Sequence, residues 1–293
     1  MEFRVLQYFL AVAREQSISK AATFLHLSQP TLSRQLKGLE DSLGKQLFIR
    51  GNRQITLTKD GMLLRKRAEE ITELIHKTTQ EITYNDKLIA GDIYIGAGET
   101  KTIHLIALVA KKIQQSHPNI HIHIISGDTQ YVTEQLDKGL IDFGLIFETT
   151  NLANYNYKHL NYHDTWGVLM KKDAPLATKT KITPKDLWQV PLILSRQVKA
   201  GDALTLWLQK NLSELNVVAT YNLLYNGSIL VDEGVGYALC LDKIINTTGK
   251  SNLCFRPLEP NLTANLNIIW KKYQVLSDAS ELFLNTLLAQ IES

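Results

Sequence analysis

Two cysteines in 293 residues, Cys240 and Cys254, are too few for a disulfide framework, so the fold has to rest on packed cores. No apolar run approaches the roughly 18 residues that a membrane span needs, and the start Met1-Glu2-Phe3-Arg4 carries no apolar signal segment. A cytoplasmic protein is expected. Catalytic signatures are missing too: there is no Gly-x-Ser-x-Gly, no His-Glu-x-x-His and no phosphate loop. No enzyme activity, catalytic residue, metal or cofactor is therefore expected. Gly96-Ala97-Gly98 follows an apolar run, but Lys101 stands where a dinucleotide fingerprint needs its third glycine. His121 and His123 share one face of a strand, with His117 nearby, yet no carboxylate or thiol lies at ligand spacing in the sequence.

What is present describes an ordered chain of two or three domains. The length exceeds what one core usually serves, and 44% hydrophobic with 21% charged residues excludes a disordered composition. Charge is uneven: residues 1–88 hold 14 Lys and Arg against 10 Asp and Glu, and the remaining 205 hold 18 against 19. A basic N-terminal part suits a polyanion partner without requiring one.

Residues 17–50 are the most specific stretch. Ser28 is placed to cap a helix, Pro30 falls in its first turn where a missing N–H does no harm, and Leu32, Leu36, Leu39 and Leu43 recur at helical spacing. Pro30, Arg34, Lys37 and Asp41 fall on the opposite face, flanked by Thr31 and Ser33. Upstream, Ala21 and Ala22 allow two helices to approach closely, which makes the segment a helix-turn-helix. Arg50-Gly51-Asn52-Arg53 before the alternating Ile55 and Leu57 reads as a small hairpin, or wing. Gln29, Thr31, Ser33 and Arg34 are the candidates to meet base edges in double-stranded DNA, Lys37, Arg50 and Arg53 those to hold phosphates, and Pro30 belongs to the same DNA-binding face.

A long helix follows, approximately Thr58 to Lys87, with Thr58 as its cap. Leu64, Ala68, Ile71, Ile75, Thr78 and Ile82 step by four and three residues, which predicts a coiled-coil seam and a dimer through this helix. After Ala90-Gly91-Asp92 the pattern alternates. Strands are expected at 93–96, 120–125, 142–147, 166–170, 219–225, 237–241 and 266–270, and helices at 102–116, 132–139, 202–212, 228–233 and 279–291. Such alternation means α/β units around a largely parallel sheet. The last strand and helix are too small to stand alone and should return to complete the first lobe.

The run Ala21-Ala22-x-x-Leu25-x-x-Ser28-Gln29-Pro30-x-x-Ser33-x-x-Leu36-x-x-Leu39-Glu40-x-x-Leu43-Gly44-x-x-Leu47-Phe48-x-Arg50 resembles the N-terminal signature of the LysR-type bacterial transcriptional regulators. Weaker segments, including His117-Pro118-Asn119, Leu140-Ile141-Asp142, Asp173-Ala174-Pro175 and Glu233-Gly234-Val235-Gly236, extend the likeness over essentially the whole chain. The resemblance implies an N-terminal all-α winged helix-turn-helix (1–58), a linker and dimerisation helix with a hinge (59–90), and an effector-binding regulatory domain (91–293). The last is two-lobed and periplasmic-binding-protein-like, with lobe I about 91–161 and 266–293 and lobe II about 162–265. It further implies a transcription regulator acting as a homotetramer on paired half-sites, controlled by a small molecule between the lobes.

Ligands of open α/β sheets collect at the carboxyl ends of strands. Here those ends are 98–102, 126–128, 147–149, 195–197 and 226–228. Thr100, Thr102, Ser126 and Thr149 resemble the polar residues of the family's cleft. Ser195, Lys101 and Arg196 join them, the two cations favouring an anionic effector. Glu99 could instead pair with one of them or contact an amine. A cytoplasmic solute-binding protein, or an enzyme using the cleft, is the alternative for such a two-lobed fold.

Overall fold

The computed structural model describes residues 1–51, 54–83, 89–147 and 152–292, and contacts divide the chain into two units, Met1–Tyr84 and Asn85–Ser293. The first unit comprises α1 (Phe3–Glu15), α2 (Ile18–Phe24), α3 (Gln29–Leu43), the antiparallel hairpin β1 (Phe48–Arg50) and β2 (Ile55–Leu57), and α4 (Lys59–Thr83). One core joins them all. Phe9 and Val12 of α1, Ala21 and Ala22 of α2, Leu32, Leu36 and Leu39 of α3, Leu47 and Phe48 at the start of the hairpin, and Ala68 of α4 are buried together. Each large apolar side chain so buried contributes about 1.5–3 kcal/mol. Leu43, the last member of the predicted stripe, is 41% exposed: the helix ends there, with Gly44 at φ 63° closing it.

The start of α4 explains two residues. Thr58 Oγ1 accepts the Gly61 N–H at 3.0 Å while donating to the Gln46 carbonyl at 2.7 Å, so one hydroxyl caps the helix and ties it to the wing. A Cβ on Gly61 would stand 2.1 Å from the Leu47 carbonyl oxygen; only glycine lets α4 begin this close to β1. The continuous seam expected along this helix is corrected. Ala68 is buried, and Leu64 and Ile71 pack, in the winged core of the same chain, whereas Ile75 and Ile82 are exposed, Ile82 by 77%. The first half of the repeat is satisfied within the chain because α1 lies against it. The helix is described to Thr83; residues 84–88, which include the expected end at Lys87, lie outside the described residues.

The second unit runs β3 (Gly91–Ala97), α5 (Ile103–Ser116), β4 (Ile120–Ser126), α6 (Thr129–Asp137), β5 (Phe143–Phe147), β6 (Tyr155–Lys171), α7 (Pro184–Leu187), β7 (Leu192–Ser195), α8 (Ala203–Leu208), β8 (Val217–Tyr221), α9 (Leu224–Asp232), β9 (Tyr237–Leu241), β10 (Leu253–Pro257), β11 (Thr263–Lys271) and α10 (Asp278–Glu292). The strand order is β4-β3-β5-β11-β6-β9-β7-β8, with β10 added on β6. β3 pairs parallel with β4 and β5, and β7 parallel with β8 and β9; the long β6 is antiparallel to β11 in its first part and to β9 and β10 in its second. One strand therefore belongs to two lobes.

In lobe I, α5 and α10 cover one face through Val109, Phe283 and Leu287, and α6 covers the other through Val132 and Leu136. The chain returns as expected: β11 and α10 complete this lobe. In lobe II one face packs Leu187, Leu204 and Trp207, and the other packs Leu224 and Val231. The boundaries expected at 161/162 and 265/266 fall inside β6 and β11.

Several expected limits are corrected. β6 begins eleven residues before the expected Trp166. β7 and β10 were not expected as strands. α6 begins at Thr129 because Asp128 Oδ1 caps it from the Tyr131 N–H at 2.9 Å. α8 stops at Leu208, where Gln209 turns to φ 57°. α9 begins at Leu224, so 226–228 lie inside a helix and not at a strand end; the strand end is Tyr221.

Candidate functional site

Ser28 Oγ accepts the Thr31 N–H at 3.3 Å and lies 2.8 Å from the Thr31 hydroxyl, so the first turn of α3 is fixed by its own cap. Gln29 Oε1 accepts from Ser19 Oγ at 3.0 Å, tying α2 to that turn. With Leu32, Leu36 and Leu39 inward, Gln29, Pro30, Thr31, Arg34 and Lys37 are exposed and Ser33 is half-buried. The result is a rigid helix presenting one polar face, with a cation in its middle. β1 and β2 pair Phe48 with Leu57 and Arg50 with Ile55, and the Gly51 N–H closes on the Gln54 carbonyl at 3.1 Å. Arg53 and the side chain of Arg50 lie outside the described residues.

One residue of the motif has a role that periodicity did not reveal. Glu40 Oε1 accepts the backbone N–H groups of Leu47 at 2.7 Å and Phe48 at 3.2 Å, so a carboxylate on α3 holds the entry of the wing. The Ile55 N–H meets the Gln16 carbonyl at 3.0 Å and anchors the other strand to the end of α1.

In the second unit the expected cleft residues divide into groups. Thr100 and Thr102 are buried, and both hydroxyls donate to the fully buried carboxylate of Asp164 on β6, the second over 3.1 Å; the Thr102 N–H returns to Thr100 Oγ1 at 3.0 Å. Their polar atoms are therefore spent on fastening the loop after β3 to the strand shared by the lobes. Asp164 was not foreseen, because its partners stand more than sixty positions away. Lys101 is half-buried and Ser126 is exposed at the end of β4. Ser195 Oγ accepts the Gln197 N–H at 3.3 Å. Thr149 lies outside the described residues. Arg196, expected as an anion-binding cation, donates to Asp128 across the cleft at 3.1 Å, with its side chain 66% exposed. At that exposure such a pair contributes at most about 1 kcal/mol.

Family models match nearly all of this architecture: one described as a bacterial regulatory helix-turn-helix protein of the lysR family matches residues 3–62, and one described as the LysR substrate binding domain matches residues 87–292. The chain belongs to the LysR family. Among its curated relatives are the HTH-type transcriptional activator IlvY of Haemophilus influenzae, 29% identical over 89% of this chain and 91% of that protein, and the HTH-type transcriptional regulator BsdA of Bacillus subtilis, 34% identical over 68% of each. In fold the chain is similar to full-length CbnR crystallised with its target DNA, with a TM-score of 0.76, 18% identity and coverage of 99% of this chain and 100% of that one.

As a LysR-family member this chain is a DNA-binding transcription regulator whose two-lobed regulatory domain takes a small-molecule effector. The remaining motifs then have structural explanations. A Cβ on Gly96 would meet Ile141 Cδ1 at 2.7 Å and Val132 Cγ1 at 2.9 Å, so this glycine clears space for packing. His123 Nε2 lies 2.9 Å from Asp92 Oδ1 and stacks on Tyr94, and His121 lies 3.6 Å from the same oxygen. Among the described residues no group of three or more His, Cys, Asp or Glu could hold a metal ion. Cys240 and Cys254 are both buried and free, and they sit in different core clusters of lobe II. Burial pushes the Cys240 thiol well above its ordinary range, which leaves it a packed hydrophobe. No helix among the described residues is long and apolar enough to cross a membrane.

Proposed function

We propose that this LysR-family regulator reads its operator through Gln29, Thr31, Ser33 and Arg34 in the major groove, with Pro30 on the same DNA-binding face and Lys37, Arg50 and Arg53 on phosphates. The observation that carries this is the exposed polar face of α3, held by buried Leu32, Leu36 and Leu39 on one side and by its Ser28 cap at the end. A guanidinium at Arg34 suits bidentate contact with a guanine edge, and the smaller Thr31 and Ser33 suit contact with either base type.

The working parts are the winged domain 1–58, the linker helix and hinge 59–90 and the regulatory domain 91–293. Dimerisation through the exposed second half of α4 would place two α3 helices on paired half-sites. A second self-contact, giving a tetramer, is supported by apolar residues left exposed at both edges of the sheet: Leu108 and Ile124 beside β4, and Val218 and Ile229 beside β8. The protein works in the cytoplasm and has no catalytic role.

The effector lies between the lobes. Thr100 and Thr102 act through Asp164, holding the loop that presents Lys101, while Ser126, Ser195 and Arg196 complete the wall; Thr149, which lies outside the described residues, is proposed as a further effector contact. Selection of bound duplexes from a random pool, followed by footprinting on DNA flanking the protein's own gene, tests the proposal. Two symmetry-related half-sites are expected; enrichment of no sequence over the starting pool would refute sequence-specific reading by α3.

A further inference from the structure

Three polar contacts cross the cleft. Arg196 of lobe II reaches Asp128 at 3.1 Å, Gln197 Oε1 of lobe II accepts the Thr129 N–H of lobe I at 3.0 Å, and Glu99 of lobe I accepts the Leu224 N–H of lobe II. The third differs from the others, because a carboxylate is seated on the first N–H of α9. A helix of this kind begins with unpartnered N–H groups and a positive dipole end. The adjoining residues offer no remedy: the N-cap is Leu223, whose side chain has no acceptor and makes no cap. The cap comes from 125 positions away and from the opposite lobe.

On lobe II, the Tyr221 hydroxyl donates to the Leu239 carbonyl at 2.8 Å, and the Tyr221 ring lies so close to α9 that a Cβ on Gly227 would approach it to 3.0 Å. Burial above all pushes the Tyr221 hydroxyl well above its ordinary range, and the Glu99 carboxylate adds to it.

Resting on the proposal that the effector occupies this cleft, we propose that Glu99 is its specificity-determining residue: a tethered carboxylate that already occupies the anion position at the start of α9. A free carboxylate arriving there meets a like charge and finds the Leu224 N–H already taken, so the cleft discriminates against carboxylate ligands at this end. Of the two nearby cations, Arg196 is engaged by Asp128.

Chemical rescue in the full-length protein tests the idea. Glu99→Ala keeps the β-carbon and removes one methylene with its carboxylate, leaving room for a small free carboxylate; propionate is the probe and propionamide its uncharged control, at constant ionic strength. Unfolding followed by tryptophan fluorescence reports on this unit, because Trp166, Trp188, Trp207 and Trp270 all lie in it. Glu99→Ala should melt below the wild type and regain stability with propionate in a saturable way. Its apparent affinity for propionate should be at least about tenfold tighter than that of the wild type, a ratio equivalent to about 1.4 kcal/mol. Glu99→Gln, which keeps the volume and one acceptor, guards against a folding defect and should bind propionate no better than the wild type. Equal responses to propionate in wild type and Glu99→Ala, or equal rescue by propionamide, would overturn the proposal. Operator binding by the wild type, measured in parallel, keeps that failure distinct from failure of the regulatory role.

Discussion

Replacing Glu40 by alanine should loosen the wing without touching a DNA contact. The carboxylate accepts two backbone N–H groups, at 2.7 and 3.2 Å, in a half-buried position. A hydrogen bond to an ionised group contributes about 1.5–3 kcal/mol when well made. The shorter bond belongs near the middle of that range, and the longer one adds less, so a loss of about 2–3 kcal/mol is expected. For a unit of this size, each kcal/mol lowers the midpoint by about 4–8 °C, giving a drop of roughly 10–20 °C. Glu40→Gln retains one acceptor without the charge and should lose about half as much. Hydrogen exchange read by mass spectrometry gives the sharper assay, because the Leu47 and Phe48 amides lose their acceptor in the alanine variant alone. Far-UV circular dichroism follows the melting of the helical first unit, while tryptophan fluorescence follows the second as an internal control. Unchanged protection at residues 47 and 48, together with melting within about 2 °C of the wild type, would refute the buttress assigned to Glu40.

Three further outcomes are expected. Ile75→Glu combined with Ile82→Glu should halve the assembly seen by sedimentation while preserving the winged fold, whereas Ile71→Glu should destabilise the winged core itself, since Ile71 packs there. Gly38→Ala should raise the stability of the first unit by about 1 kcal/mol, because no atom lies within 4 Å of the added Cβ; a lower melting temperature would show that glycine is needed there by the fold. Tyr155 is pushed up to about 12 by burial and by the hydrogen bond it donates to Asp137 at 2.9 Å. Folding thus favours the neutral phenol, and its stabilisation is present below the ordinary phenol value and lost as pH rises through about 12. Tyr155→Phe should remove that alkaline limb from the stability curve, and an unchanged limb would assign it to another group.

The parts visible in the sequence are those whose causes are local. Ser28, Pro30 and the leucines of α3 specify a capped amphipathic helix within one stretch of chain, and Gly51 with alternating Ile55 and Leu57 specifies a hairpin. The parts not visible depend on remote partners. The first half of β6 escaped notice because His159, Asn161, Tyr162 and His163 are exposed polar or aromatic residues on a strand that is fully sheltered only at Tyr155, Leu160 and Asp164. The start of α9 was misplaced by four residues because its cap is Glu99, on another lobe, where sequence rules look for Ser, Thr, Asp or Asn just before the helix. Thr100 and Thr102 were recognised as polar residues at a strand end, but what they serve is Asp164, which no spacing rule connects to them. The seam of α4 was recognised as one repeat although α1 covers only its first half, a division set by tertiary packing.

The most direct measurement compares binding of the full-length protein to its selected duplex and to a scrambled duplex across a salt series, for wild type, Arg34→Ala and Lys37→Ala. If α3 reads bases through Arg34 and holds phosphate through Lys37, then Arg34→Ala loses about 1–3 kcal/mol on the selected site with little change on the scrambled one. Lys37→Ala then weakens both alike and reduces the salt slope by about one. An Arg34→Ala protein that keeps the wild-type ratio between the two duplexes would contradict base reading by this helix face.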